Sequence, residues 1–149
     1  MASVVRNART LALCSMLLGA TLTGCAGAAA RQGCAAGAGS PMVVYDLFFG
    51  RTIDGRALPV SDAEWAGFVE RVVTPNLPTG FTVLDGEGQW QDPATGKTIR
   101  EPTKVLIVAA PPTSQSAAAI DIIKEAYKRQ FRQRSVGMVS HAACADFGG

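Results

Sequence analysis

The chain has 149 residues, 48% hydrophobic and 17% charged, with 16 Gly and 8 Pro, which allows one domain and excludes wholesale disorder. Fourteen basic against twelve acidic side chains give a net charge of +2, too balanced for a nucleic-acid binder. A single His argues against multi-His metal centres and most His-based catalytic arrangements.

Residues 1–9 carry Arg6 and Arg9 and no acid, and an apolar run follows from Leu11. Ending at Gly24, that run as a helix of about 1.5 Å per residue falls short of a hydrocarbon core of about 30 Å. A basic start, a short apolar middle and small residues after it predict an export signal over residues 1–24. The run closes on Leu22-Thr23-Gly24-Cys25. This resembles the bacterial lipobox, in which the Cys thiol receives a diacylglycerol and cleavage falls just before it. The expectation is a lipid-anchored cell-envelope protein held by acyl chains on Cys25, at about 0.8 kcal/mol per buried CH₂. The alternative is ordinary secretion with cleavage near Ala28-Ala29-Ala30. Ala26, where an Asp would retain the protein at the inner membrane, implies by the same resemblance the outer membrane facing the periplasm in a Gram-negative host. Cleavage removes Arg6 and Arg9 from the fourteen cations, leaving twelve against the twelve acids and net neutrality.

Residues 25–41 read as an Ala/Gly-rich tether, and the folded domain as 42–149. With Cys14 lost and Cys25 acylated, Cys34 and Cys144 remain to pair in a compartment that permits disulfides, the alternative being two free thiols. The segment from Met42 to Gly50 is a β-branched and aromatic strand, and Asp54-Gly55 signals a turn. Ser61 with Glu64 forms a capping box, and Val60 and Trp65 sit at staple positions. Trp65, Phe68, Val69, Val72 and Val73 recur at helical spacing, Pro75 is expected to stop the helix, and Trp65 is expected in the core. A second strand starts at Gly80-Phe81, with Gly86 and Gly88 suggesting a bulge, and continues through Trp90. Asp92 to Gly96 is a hairpin turn. The return strand runs from Thr98 to Ala110 with an interruption at Pro102. Thr113 or Ser114 opens a helix whose buried stripe is Ala119, Ile120, Ile123, Tyr127 and Phe131, and Ser135 to Ser140 is the last strand.

This β-α-β-β-α-β order predicts an α+β ferredoxin-like sandwich, a four-stranded antiparallel sheet with two helices on one face. Strand order 4-1-3-2 lays the last strand beside the first, so that Cys144 comes near Cys34. A strand with one wet face should alternate apolar and polar residues. Val105 to Ala110 does not, and the first strand breaks its apolar run only at Asp46. Something should therefore cover the second face. A sheet-to-sheet homodimer is expected, with the tether or the long hairpin folding back as the alternative.

Six segments, Tyr45-x-x-Phe48-Phe49-Gly50, Glu64-Trp65, Val73-Thr74-Pro75, Phe81-Thr82-Val83-Leu84-Asp85, Gly88-Gln89-Trp90 and Arg100-Glu101-x-x-Lys104-Val105, together resemble an uncharacterised bacterial family, domain of unknown function 3574, of small secreted proteins and lipoproteins. The resemblance spans nearly all of residues 45–147 and implies no activity.

Candidate binding residues are Tyr45 and, around the hairpin, Asp85, Trp90, Arg100, Glu101 and Lys104. With the turn centred near Ala94-Thr95, Trp90 falls opposite Ile99 and diagonal to Arg100, which suggests a cation–π pair. An Arg100–Glu101–Lys104 cluster could grip an anion; equally, these charges could keep an edge strand from aggregating. His141 beside Ser140 is not a catalytic pair, because neighbouring strand residues point to opposite faces. A Cys34–His141–Cys144 metal site would lack a fourth ligand. Lys124, Lys128, Arg129, Arg132 and Arg134 gather at a helix C-terminus, where the dipole favours cations. No cofactor, metal or nucleic-acid motif is present. The sequence therefore reads as a lipid-anchored binding or structural module. The alternative is a small dimeric α/β-barrel-type enzyme acting on an apolar or aromatic molecule in a cavity lined by Tyr45, Trp90 and Arg100.

Overall fold

The computed structural model describes residues 33–53 and 59–148. The export signal, Cys25, the first part of the tether and the Asp54-Gly55 turn lie outside the described residues. In chain order the elements are β1 (Ser40–Gly50), α1 (Asp62–Phe68), a π-helical segment (Val69–Val73), α2 (Thr74–Asn76), β2 (Thr82–Gln91), β3 (Thr98–Ala110), α3 (Ser114–Phe131) and β4 (Gly137–Ala145). The strands form one antiparallel sheet ordered β2-β3-β1-β4, which is the ferredoxin-like arrangement. Among the described residues no helix is long and apolar enough to cross a membrane.

Local chemistry sets the elements. Ser61 caps α1: its Oγ accepts the Glu64 N–H at 3.2 Å, and Glu64 Oε2 accepts the Ser61 N–H at 2.8 Å, which satisfies two donors that a helix start leaves open. Pro75 does not end the helix, which runs on to Asn76. A proline has no N–H, and its ring crowds the carbonyl four residues back. The backbone widens just before it, so that the Thr74 N–H reaches back five residues to the Val69 carbonyl. The Asn76 side chain satisfies the Val72 carbonyl at 2.8 Å.

Two expected irregularities in the hairpin are absent. Thr82–Gln91 pairs one to one with Thr98–Ile107, so Gly86 and Gly88 make no bulge. Pro102 does not interrupt β3, which is continuous. Its carbonyl accepts the Arg51 N–H at 3.0 Å, and its nitrogen faces the same side, beyond the last β1–β3 pair at Gly50↔Thr103. No ladder donor is needed there. Strand β4 extends five residues beyond the expected Ser140, so Cys144 lies inside the strand, opposite Pro41. It is disulfide-bonded to Cys34 with Cα atoms 5.7 Å apart. Gly39 lets the incoming chain lie against the end of β4, since a Cβ there would collide with the Ala145 carbonyl and its own φ is +85°.

The core lies between the sheet and the helices. Tyr45, Leu47 and Phe49 of β1 and Leu106, Val108 and Ala110 of β3 pack against Trp65, Phe68, Val73, Ile120, Ile123, Tyr127 and Phe131. Trp65 is thus in the core, as expected. Tyr127 is the centre of an aromatic cluster, with ring centroids 4.8 Å from Phe49, 5.2 Å from Phe68 and 4.8 Å from Phe131. Its hydroxyl donates to the Gly50 carbonyl at 2.9 Å. Burial pushes the Tyr127 phenol well above its ordinary value. The unfolded chain therefore ionises first, near pH 10. Stability from the buried neutral phenol is complete below that pH and falls above it by roughly 1.4 kcal/mol per pH unit. Denaturant titrations between pH 9 and 11 should show this slope, and Tyr127→Phe should flatten it while losing about 1 kcal/mol at neutral pH. An unchanged slope in the variant would assign the alkaline loss to other groups.

Candidate functional site: a hollow on the uncovered sheet face

Strand alternation places Val44, Asp46 and Phe48 of β1 and Val105, Ile107 and Ala109 of β3 on the face away from the helices. Leu84 and Trp90 of β2 and Val139 of β4 join them by register. Phe48 is 40% exposed, Leu84 49%, Trp90 46% and Val139 54%. The two central strands are apolar front and back, and the helices among the described residues cover only one side.

Across this face the side chains run in rows. Leu84, Val105 and Phe48 form one row, in register with Gly137. The next rows are Gly86–Thr103–Gly50 and Gly88–Glu101, and after them comes Trp90–Ile99. In these two successive rows three of the five residues are glycines, and only Thr103 and Glu101 stand between walls of Phe48 on one side and Trp90 with Ile99 on the other. The result is a hollow of about 560 Å³, bounded also by Thr52 and by residues 132–135. That volume is on the scale of small-molecule sites, about 300–1,000 Å³.

Glu101 and Asp92 are the acids that line the hollow, and Glu101 is the one set in the sheet. Its carboxylate lies over Gly50, where a Cβ would come within 2.7 Å of both oxygens. The Thr52 N–H donates to Oε2 at 3.2 Å. Thr52 is held in turn by Gln133, whose Nε2 donates to the Thr52 carbonyl at 2.7 Å. Arg132, the left-handed C-cap of α3 with φ 51°, turns the chain into this rim.

The candidate residues do not converge. Trp90 and Glu101 line the hollow. Tyr45 is buried in the core on the opposite face. Asp85, Arg100 and Lys104 share that helix-side face by alternation. Trp90 does pair with Ile99 as the turn implied, but Arg100 points away from the indole and donates to Gln89 Oε1 at 2.7 Å. The Arg100–Glu101–Lys104 grip and the cavity of Tyr45, Trp90 and Arg100 are therefore not formed. Lys104 is buried and sits 2.5 Å from Asp85 and 3.4 Å from Asp62, which in turn pairs with Arg51 at 3.0 Å. The Lys104 hydrogen bond, followed by the Arg51 charge, holds the Asp62 carboxyl below its usual range. Both acids are exposed, so removing the cation strands no buried charge. Lys104→Met should change stability by less than about 1 kcal/mol in thermal melts. A collapse of the fold would show that the lysine charge itself holds the hairpin.

Phe48, Gly50, Gly88, Ile99, Thr103, Arg132 and Gly137 were not visible as site residues in the sequence. The usable signal was the two-residue spacing of Gly86 and Gly88, which puts both on one face in register with Thr103 and Glu101. Among the described residues no group of three or more His, Cys, Asp and Glu could hold a metal ion.

A βαββαβ sheet with helices on one side and a hollow on the other places the chain among ferredoxin-like α+β sandwiches. Within that class it belongs to the family described as a protein of unknown function, DUF3574, whose model matches residues 44–147. Among curated proteins none matches the chain. Similar solved structures include a phage SAM lyase in complex with S-methyl-5'-thioadenosine, at a TM-score of 0.52 and 11% identity, covering 72% of this chain and 93% of that one. The phage SAM lyase in its apo state has a TM-score of 0.50 and 11% identity, with coverage of 73% and 94%. At such identity the likeness is one of fold alone.

Proposed function

We propose that the protein is an exported, lipid-anchored module of the cell envelope that works through its uncovered sheet face, with a second copy of the chain seated on that face. The observation that carries this reading is the exposure of Phe48, Leu84 and Val139 beside Val44, Val105 and Ile107 on a face that no helix among the described residues covers. Contiguous apolar patches of this kind mark association surfaces, and a stable pair buries about 800 Å² per partner. The patch suits a two-fold pairing, in which the same surface meets itself. Asp46 is its acid, and His141, opposite Val44 on β4, offers the other copy a hydrogen-bond donor. The lipobox ending at Cys25 supports the anchor, and the Cys34–Cys144 bridge suits an oxidising compartment. In a Gram-negative host, Ala26 directs the protein to the outer membrane, facing the periplasm.

The test uses the full chain extracted from membranes in mild detergent. Intact mass should show an acylated Cys25 at the amino terminus, and sedimentation should give twice the protomer mass. Leu84→Lys leaves the core untouched and should shift the sedimenting species to the protomer. A protomer in the unaltered protein would overturn the pairing, and an unacylated mature chain would overturn the anchor.

A further inference from the structure

We infer that the hollow between Phe48 and Trp90 binds a flat aromatic molecule bearing a planar cationic donor, such as an amidine or a protonated aromatic amine. The inference rests on reading the uncovered face as the working surface, and it names what one end of that face takes. Gly50 of β1, Gly88 of β2 and Gly137 of β4 make room for the Glu101 carboxylate, the Thr103 hydroxyl and the Phe48 ring, so the floor a ligand meets is a carboxylate and a hydroxyl set low on the sheet. The walls are the half-exposed rings of Phe48 and Trp90 with Ile99, and an indole face attracts a planar cation as well as an apolar ring.

Glu101 selects the charge. On the helix side of the sheet Asp85 pairs with Lys104, Asp62 with Arg51 and Lys104, and Glu87 lies 4.0 Å from Arg100; at the hairpin end of the hollow Asp92 accepts the Ala94 and Thr95 N–H groups of its own turn. Glu101 is half-buried and makes no ion pair among the described residues. Gly50 leaves room for its carboxylate, and the Thr52 N–H fixes one oxygen, which leaves acceptor capacity directed at a ligand. A two-pronged donor meets a carboxylate with charge-assisted hydrogen bonds. Arg132 and Arg134 stand at the rim, where they repel a second positive group and limit the ligand to one cationic head, placed at Glu101. The hollow shares the Phe48 ring with the apolar patch and otherwise lies beyond the Leu84–Val105–Phe48 row, toward the hairpin, so its occupancy is measured on unpaired as well as unaltered protein.

The probe is benzamidine, one ring with one amidinium, against benzamide and benzoate of the same shape. The chain has two tryptophans. Trp65 is in the core and Trp90 on the hollow wall, so Trp90 emission reports binding. Benzamidine should quench this emission saturably and bind at least about tenfold more tightly than benzamide or benzoate. Glu101→Gln, which keeps an oxygen for the Thr52 N–H, should lose that preference, and Trp90→Phe should lose the signal. Equal binding of benzamide, tighter binding of benzoate, or an unchanged preference in Glu101→Gln would overturn the assignment. The three-probe comparison on the unaltered chain stands even if the Gln variant does not fold. The same titration on Leu84→Lys separates the two proposals. Saturable benzamidine binding by a protomeric species supports this site and leaves pairing to sedimentation, whereas a protomeric species that ignores benzamidine defeats this site alone.

Discussion

Reduction of the Cys34–Cys144 disulfide, or Cys144→Ala, should lower the melting temperature by roughly 10–25 °C. The bond joins residues 110 apart in sequence and so encloses nearly all of the folded chain. Loops of this length give the largest restriction of the unfolded ensemble, about 4–5 kcal/mol in the chain-entropy model and about 2–4 kcal/mol in common measurement. The native side should change little. Cys144 is held in β4 by pairing with β1 through nine registered positions, and Cys34 lies outside the sheet. The expected pattern is a large shift in melting with far-ultraviolet circular dichroism preserved at low temperature. A shift below about 3 °C would mean that the reduced unfolded chain is already restricted, or that the bridge adds strain that offsets its effect.

Phe68→Ala should remove about 3–5 kcal/mol. The ring is fully buried and touches four others, with centroids at 5.2 Å from Tyr127, 5.8 Å from Trp65, 5.9 Å from Phe131 and 6.2 Å from Phe49. Those rings come from β1, α1 and α3, so the surroundings cannot close on the cavity without moving one whole element. A domain of this size has a total stability of about 5–15 kcal/mol, and the variant should sit near its folding threshold when the disulfide is also reduced. Urea titration gives the direct reading. A loss below about 1 kcal/mol would show that the aromatic cluster is loosely packed.

What the sequence made legible follows the strength of the local physics. Ser61 and Glu64 announced the helix start because a capping box needs only three residues of spacing. The doubled apolar pattern of β1 and β3 announced a second face in need of a cover, since a period of two leaves little ambiguity about sides. Even the disulfide could be read from strand order. The hairpin was harder. The pairing of Trp90 with Ile99 was correct, yet a diagonal neighbour such as Arg100 lies on the other side of the pleat, so the proposed cation–π pair failed on alternation alone. Gly86 and Gly88 suggested a bulge because glycine is common in bulges, whereas here the strand pairs regularly and Gly88 makes room for the Thr103 hydroxyl. The role of Gly137 and Arg132 depends on how the end of α3 meets β4, a long-range fact with no local signal. The π-helical segment before Pro75 likewise reflects a compromise between a missing N–H and a continuous buried stripe.

The central claim is that the bare sheet face is covered by a second copy in the working protein. Hydroxyl-radical footprinting of the full chain in mild detergent, followed residue by residue across a dilution series, tests it most directly. Phe48, Leu84 and Val139 should be protected at high concentration and become reactive on dilution, while Ile122 of α3 and Met138, both exposed away from that face, should react equally at every concentration. Reactivity at Phe48 and Leu84 that stays high and independent of concentration would contradict the account.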